Sequence, residues 1–142
     1  MSALADLQRL EAITRAKYDQ QQQSFQRIQA EEARLRAELA RLDDMLKTSE
    51  AAAEGQGEMR AIGADILWQG WVARSKTALN IKLAQVLAIK EQQLHQVRQA
   101  FGKLQVVEQL IAETRSVTRK KMGQSQLELA MAIALSKGRP SQ

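Results

Sequence analysis

Cysteine is absent from the 142 residues of this chain, so neither a disulfide framework nor a thiolate metal site is available to it. Proline occurs once, at Pro140, and nothing forbids an almost uninterrupted helix along the rest of the sequence. Long apolar runs are missing too. The longest, Leu129 to Leu135, has seven residues, against the roughly 20 that a membrane helix needs. The opening MSALADLQRL has no basic stretch followed by an apolar one and does not read as a signal peptide. These absences lead to the expectation of a soluble, cytoplasmic protein.

The residues that carry catalysis are equally scarce. There is no phosphate-cradling glycine loop and no cysteine nucleophile, and no paired-carboxylate pocket is legible. The single histidine, His95, has no second histidine or clustered acid beside it and reads as a solvated surface residue rather than a ligand. The expectation is a protein that is not an enzyme, with no catalytic residues, no metal, no cofactor and no small-molecule substrate.

What is present is helix. Ala, Glu, Lys, Leu and Arg supply half of the residues, the composition of long helices and coiled coils rather than of a globular core. Glutamine is common as well, and it forms helices while resisting burial. Such a chain can cover a narrow seam but cannot fill a thick core. Its charge is uneven. Residues 1–58 carry 8 basic and 11 acidic groups, a net of −3, while residues 59–142 carry 13 basic and 5 acidic groups, a net of +8. The second half is therefore expected to meet an acidic protein surface or nucleic acid.

Periodicity places the seams. From Phe25, alternating steps of three and four reach Ile28, Glu32, Leu35, Leu39, Leu42 and Leu46. Extended backwards, the same steps reach Tyr18, Thr14, Glu11, Leu7 and Leu4. A 3.5-residue period is what two supercoiling helices require. Ser2 can cap this helix, with Asp6 near the positive end of its dipole. Gly55 and Gly57 then mark a turn. A second helix begins near Glu58, or after Gly63 with Asp65 as its cap. Its seam reads Leu87, Lys90, Leu94, Val97, Phe101, Leu104, Glu108 and Ile111. Gly102 and Gly123 weaken this helix by about 1 kcal/mol each relative to Ala, and a break, if present, falls at Gly123–Ser125.

The predicted fold is all-α: two long helices in one antiparallel coiled-coil hairpin over residues 1–142, the second longer than the first. Helix one covers about 3–53, the turn about 54–58, helix two about 59–136, and 137–142 form a disordered tail. With residue 56 as the fold point, residue n faces roughly residue 112 − n, which sets Phe25 near Leu87 and Leu46 near Ile66. From about residue 112 the second helix outruns its mate. This overhang holds Leu127, Leu129, Ala130, Met131, Ile133, Ala134 and Leu135, too apolar to stand alone in water. Just before them RSVTRKK sets Arg115, Arg119, Lys120 and Lys121 within seven residues. That cluster is either a solvated face or a contact to an acidic surface. Nucleic acid is disfavoured, because no base-stacking aromatic is close by.

Both tryptophans lie in ADILWQGWVARSK. Extended backwards, the second seam passes through Leu83, Asn80, Lys76, Ala73, Gln69, Ile66 and Ile62 and leaves Trp68 and Trp71 outside it. A competing frame through Leu67, Trp71, Ala78 and Ile81 buries one of them. Either the rings pack at a wider hairpin tip, or they form an exposed patch that docks a partner.

In length, in the position of the break and in the inequality of its helices, the chain resembles the flagellar type III export stalk family, FliJ-like and YscO-like proteins. Local echoes are ILWQGWV after the turn, QAFGKLQ, and the closing RKKMGQSQLELAMAIA. The chain departs from the family at Gly102 and Gly123 and in lacking further aromatics along the second helix. The resemblance implies a cytoplasmic stalk of bacterial flagellum biogenesis or virulence secretion, peripheral to the inner-membrane export apparatus. Its overhang, with Arg115, Arg119, Lys120, Lys121, Leu127, Met131 and Leu135, would enter a hexameric export ATPase. Its hairpin end, with Trp68, Trp71, Val72 and Leu79, would meet the cytoplasmic domain of the export gate, and export chaperones would bind along its length. Two other classes stay open on the residues alone: a basic coiled coil that binds nucleic acid, and a self-associating structural scaffold.

Overall fold

The computed structural model describes residues 2–53 and 59–138, with side chains at 2–52 and 63–138. Two helices account for them: α1, Ala3–Ala53, of 51 residues, and α2, Met59–Lys137, of 79 residues. They form a helical hairpin whose second helix is the longer. The predicted turn and Glu58 lie outside the described residues, as does most of the predicted tail. Ser2 caps α1: the Ala5 amide donates to Ser2 Oγ at 3.2 Å and to the Ser2 carbonyl at 3.1 Å, which satisfies an amide that the first turn leaves without a partner. At the other end the Gly138 amide donates to the Ala134 carbonyl at 3.0 Å and closes α2.

α2 is more continuous than its glycines suggest. It runs through Gly63, so Asp65 sits inside the helix rather than at its cap, and it runs through Gly123–Ser125 without a break. A glycine costs a helix about 1 kcal/mol, and one such penalty does not end a helix held by the residues on either side.

The chain divides into two compact units. The first joins residues 1–19 to residues 99–142, and the second comprises residues 20–98. In the second unit Leu35, Leu83 and Val86 are buried together, with Ile28, Leu39 and Leu79 packed against them. Leu42 and Val72 are also buried. In the first unit Ala100, Leu104, Val107 and Ile111 are buried. Each large aliphatic removed from water in this way contributes roughly 1.5–3 kcal/mol.

The α1 seam lies where its period predicts. Leu35 and Leu42 are buried, and Leu4, Leu7, Tyr18, Phe25, Ile28, Leu39 and Leu46 are half-buried. The α2 seam needs correction in one of its two rows. Leu83, Lys90, Val97, Leu104 and Ile111 face inward, as their shared seven-residue repeat requires. The other row is Leu79, Val86, Gln93, Ala100 and Val107, one residue short of the predicted Leu87, Leu94, Phe101 and Glu108. Leu94 is half-buried, whereas Leu87 and Phe101 are exposed by 38% and 43%. Both rows are largely apolar, and the inner one has the smaller side chains, which let two helix backbones approach. Phe101 instead lies against Tyr18, ring centroids 5.5 Å apart.

Two polar slots, one from each seam, find each other. Lys90 Nζ donates to Glu32 Oε1 and Oε2 at 3.0 and 3.2 Å. Such a pair fixes register more than it adds stability. Asp43 and Lys76 form a second ion pair in this unit, and Arg15 meets Glu108 at 2.7 Å in the other. These partners correct the predicted alignment: within each unit residue n faces roughly residue 120 − n, not 112 − n. Ile66, predicted beside Leu46, is therefore exposed.

Candidate functional site: two exposed surfaces

The first surface belongs to the unit of residues 1–19 and 99–142. Ile111 is the last buried side chain of α2, Thr114 and Ser116 are half-buried, and every residue from Val117 to Gly138 is exposed. The shifted register explains why the bare stretch begins nearer 117 than 112: α1, starting at Ala3, reaches farther along α2 than the predicted fold point allows. On this stretch Leu127, Met131 and Leu135 are exposed by 59%, 57% and 75%. Arg115, Arg119, Lys120 and Lys121 stand beside them, exposed and outside any ion pair among the described residues. The hydroxyls of Thr114 and Thr118 donate back to the carbonyls of Leu110 and Thr114 at 2.8 and 2.9 Å. They are thus satisfied within the helix and leave the cations to face solvent.

Sequence reasoning missed an adjoining feature of the same unit. Leu10 and Thr14 of α1 and Gly102, Val106, Val107 and Leu110 of α2 line an open groove with Gln99 and Lys103. A Cβ built on Gly102 would meet nothing within 4 Å, so this glycine leaves a notch in the groove floor. The signal in the sequence was there: Val106, Leu110 and Val117 repeat at helical spacing beside the inner seam, and all three are exposed.

The second surface belongs to the unit of residues 20–98. Trp71 is 48% exposed and lines a groove with Leu42, Met45, Ala78 and Leu79. Trp68 is half-buried and lines another groove with Met45, Thr48, Ala52 and Asp65. Neither predicted frame describes this. The backward seam fails because Asn80, Ala73 and Gln69 are exposed, and the competing frame fails because Leu67 and Ile81 are exposed. The inner row here is Trp68, Val72, Lys76, Leu79 and Leu83.

Val72, expected in an exposed patch, is 1% exposed and belongs to the core, and Leu79 packs against the Leu35 cluster. Of the predicted patch, Trp71 is the most exposed, and Met45, outside the prediction, is exposed beside it. Met45, next to the seam position Leu46, was not distinguishable as a surface residue by spacing alone.

Elsewhere in this unit Arg34 donates to both Glu31 and Glu38 on one face of α1. The hydrogen bond from Arg34 holds the Glu31 carboxyl below its ordinary value, and the two carboxylates raise the Arg34 guanidinium. Both groups are exposed, so the cluster is a surface feature. His95 is exposed. Among the described residues no His, Cys, Asp and Glu cluster suits a metal ion, and no helix is long and apolar enough to cross a membrane. Comparison with protein-family models finds no match, nor does comparison with curated proteins or with solved structures.

Proposed function

We propose that this chain is a non-enzymatic coupling stalk of a flagellar-type, type III protein export ATPase. In this reading the bare end of α2 docks in the hexameric ATPase, and the Trp68–Trp71 region meets the cytoplasmic domain of the export gate. Export chaperones bind along the paired helices, and the protein works at the cytoplasmic face of the membrane.

One observation carries the reading: the stretch from Val117 to Lys137 is helical, apolar, cationic and covered by nothing within its own unit. Amphipathic helices in that state are built to be received by another molecule. Four cations followed by exposed Leu and Met favour an acidic protein cavity. A nucleic-acid groove is less suited, because aromatics for stacking are missing after Phe101.

The test is to add the purified chain to the export ATPase of the same cell and follow hexamer assembly and ATP hydrolysis. Both should rise, and reversing Arg119, Lys120 and Lys121 to Glu should abolish the effect while leaving helicity unchanged. An ATPase that neither binds the chain nor changes its rate refutes the reading.

A further inference from the structure

Within the unit of residues 1–19 and 99–142, the bare tail and the open groove share a spacing. The groove presents Gly102, Val106 and Leu110 at four-residue steps. The tail presents Leu127, Met131 and Leu135 at the same steps, all exposed. Residues four apart share a helix face. Laid antiparallel, a tail sets Leu127 against Leu110, Met131 against Val106, and Leu135 over the notch at Gly102. Leu10 and Thr14 of α1 form the other wall.

The same stretch of chain therefore carries both the plug and the seat. That is the condition for an isologous contact, in which residue i of one copy meets residue j of the other and the reverse. We infer that two copies of this chain associate through a two-fold axis at the level of Thr118 and Arg119 along α2, each tail lying as a third helix in the other's groove. The paired segments, from Gly102 to Leu135, are about 50 Å long at 1.5 Å per residue. A contact of that length reaches the roughly 800 Å² per partner of a standard stable interface.

The occupant is a second copy because the fit is reciprocal, and the charge pattern gives it a signature. Lys120 and Lys121 of both copies flank the axis, while Arg115 and Arg119 lie on the opposite side of the helix. Repulsion between the lysines opposes association and is screened by salt, so the dimer tightens as ionic strength rises. Docking on an acidic protein or on nucleic acid weakens instead. The inference goes beyond the export reading and does not require it: the dimer is a property of the isolated chain.

Sedimentation equilibrium of the full chain, from low to high micromolar and at two salt concentrations, tests it. A monomer–dimer equilibrium is expected, tighter at high salt. The Leu127→Gln/Met131→Gln variant and the Val106→Gln variant, on the two opposing sides of the same contact, should each weaken it by about tenfold or more. Helicity should be unchanged, since all three side chains are exposed. Because the natural chain has no cysteine, a mixture of Gly102→Cys and Leu135→Cys chains should form the mixed disulfide in preference to either symmetric one. A chain that stays monomeric throughout, a dimer loosened by salt, or a Leu135→Cys chain that cross-links as readily to itself would each overturn the inference.

Discussion

Two stretches of α2 in the same unit, Ala100–Ile111 and Val117–Leu135, have comparable aliphatic content and opposite fates. In the first, Ala100, Leu104, Val107 and Ile111 are exposed by no more than 6%. In the second, Val117, Leu127, Met131 and Leu135 are exposed by 51% or more. Helix propensity and local pattern do not separate them, since α2 is unbroken through both. A facing helix does. In a two-helix structure, burial at a position is decided by the chain opposite it, and an apolar stretch with no helix opposite stays exposed.

The most forceful way to break this comparison is to truncate one leucine on each side of it. Leu104→Ala should cost about 2–4 kcal/mol in urea unfolding, and Leu127→Ala less than about 0.5 kcal/mol. Equal costs would mean that the tail is packed after all. The tryptophan region offers a sharper version. Val72→Ala should cost about 2 kcal/mol although the side chain is small, while Trp71→Ala should cost well under half of that, reversing the order that size alone gives.

A polar residue inside the seam sharpens the comparison from the other side. Gln93 faces inward, and among the described residues its Oε1 is buried without a hydrogen-bond partner. Gln93→Leu should therefore stabilise the hairpin by about 1 kcal/mol, detected as a higher midpoint with an unchanged denaturant slope.

The smallest expected effect concerns charge on the outer face. Arg34 lowers the Glu31 pKa from its ordinary 4.5. The pairing therefore stabilises fully above about pH 4.5 and is lost as pH falls through the lowered value. Carboxyl NMR should show the Glu31 midpoint return towards 4.5 in Arg34→Ala. The change in unfolding should be slight, because the groups are exposed and well solvated.

Much of the fold was legible in the sequence. The α1 seam was readable at every slot because most of its large apolar residues fall on one narrow stripe, with Leu10, Ile13 and Met45 the exceptions. Only half of the α2 seam was readable, because Val86 and Leu87, or Ala100 and Phe101, are adjacent apolar choices and spacing does not rank them. The ranking comes from across the interface, where smaller inner side chains permit close packing and Phe101 finds Tyr18 at the flank. A fold point set by Gly55 and Gly57 misplaces the alignment of the helices by about eight residues. The pair Glu32–Lys90, visible as two polar slots in two apolar seams, would have fixed it.

Of the candidate surfaces, the tail was legible as an excess of length. The groove beside it was not, since its second wall, Leu10 and Thr14, comes into being only when α1 lies against α2. Val72 was misassigned for the same reason.

The central claim, that the end of α2 is a helix without a facing partner, is tested most directly by amide hydrogen exchange on the isolated chain, dilute enough to be monomeric. Amides from Ala100 to Ile111 should be protected to nearly the global unfolding free energy, and those from Val117 to Lys137 should exchange orders of magnitude faster. Equal protection along both stretches at that dilution would contradict it.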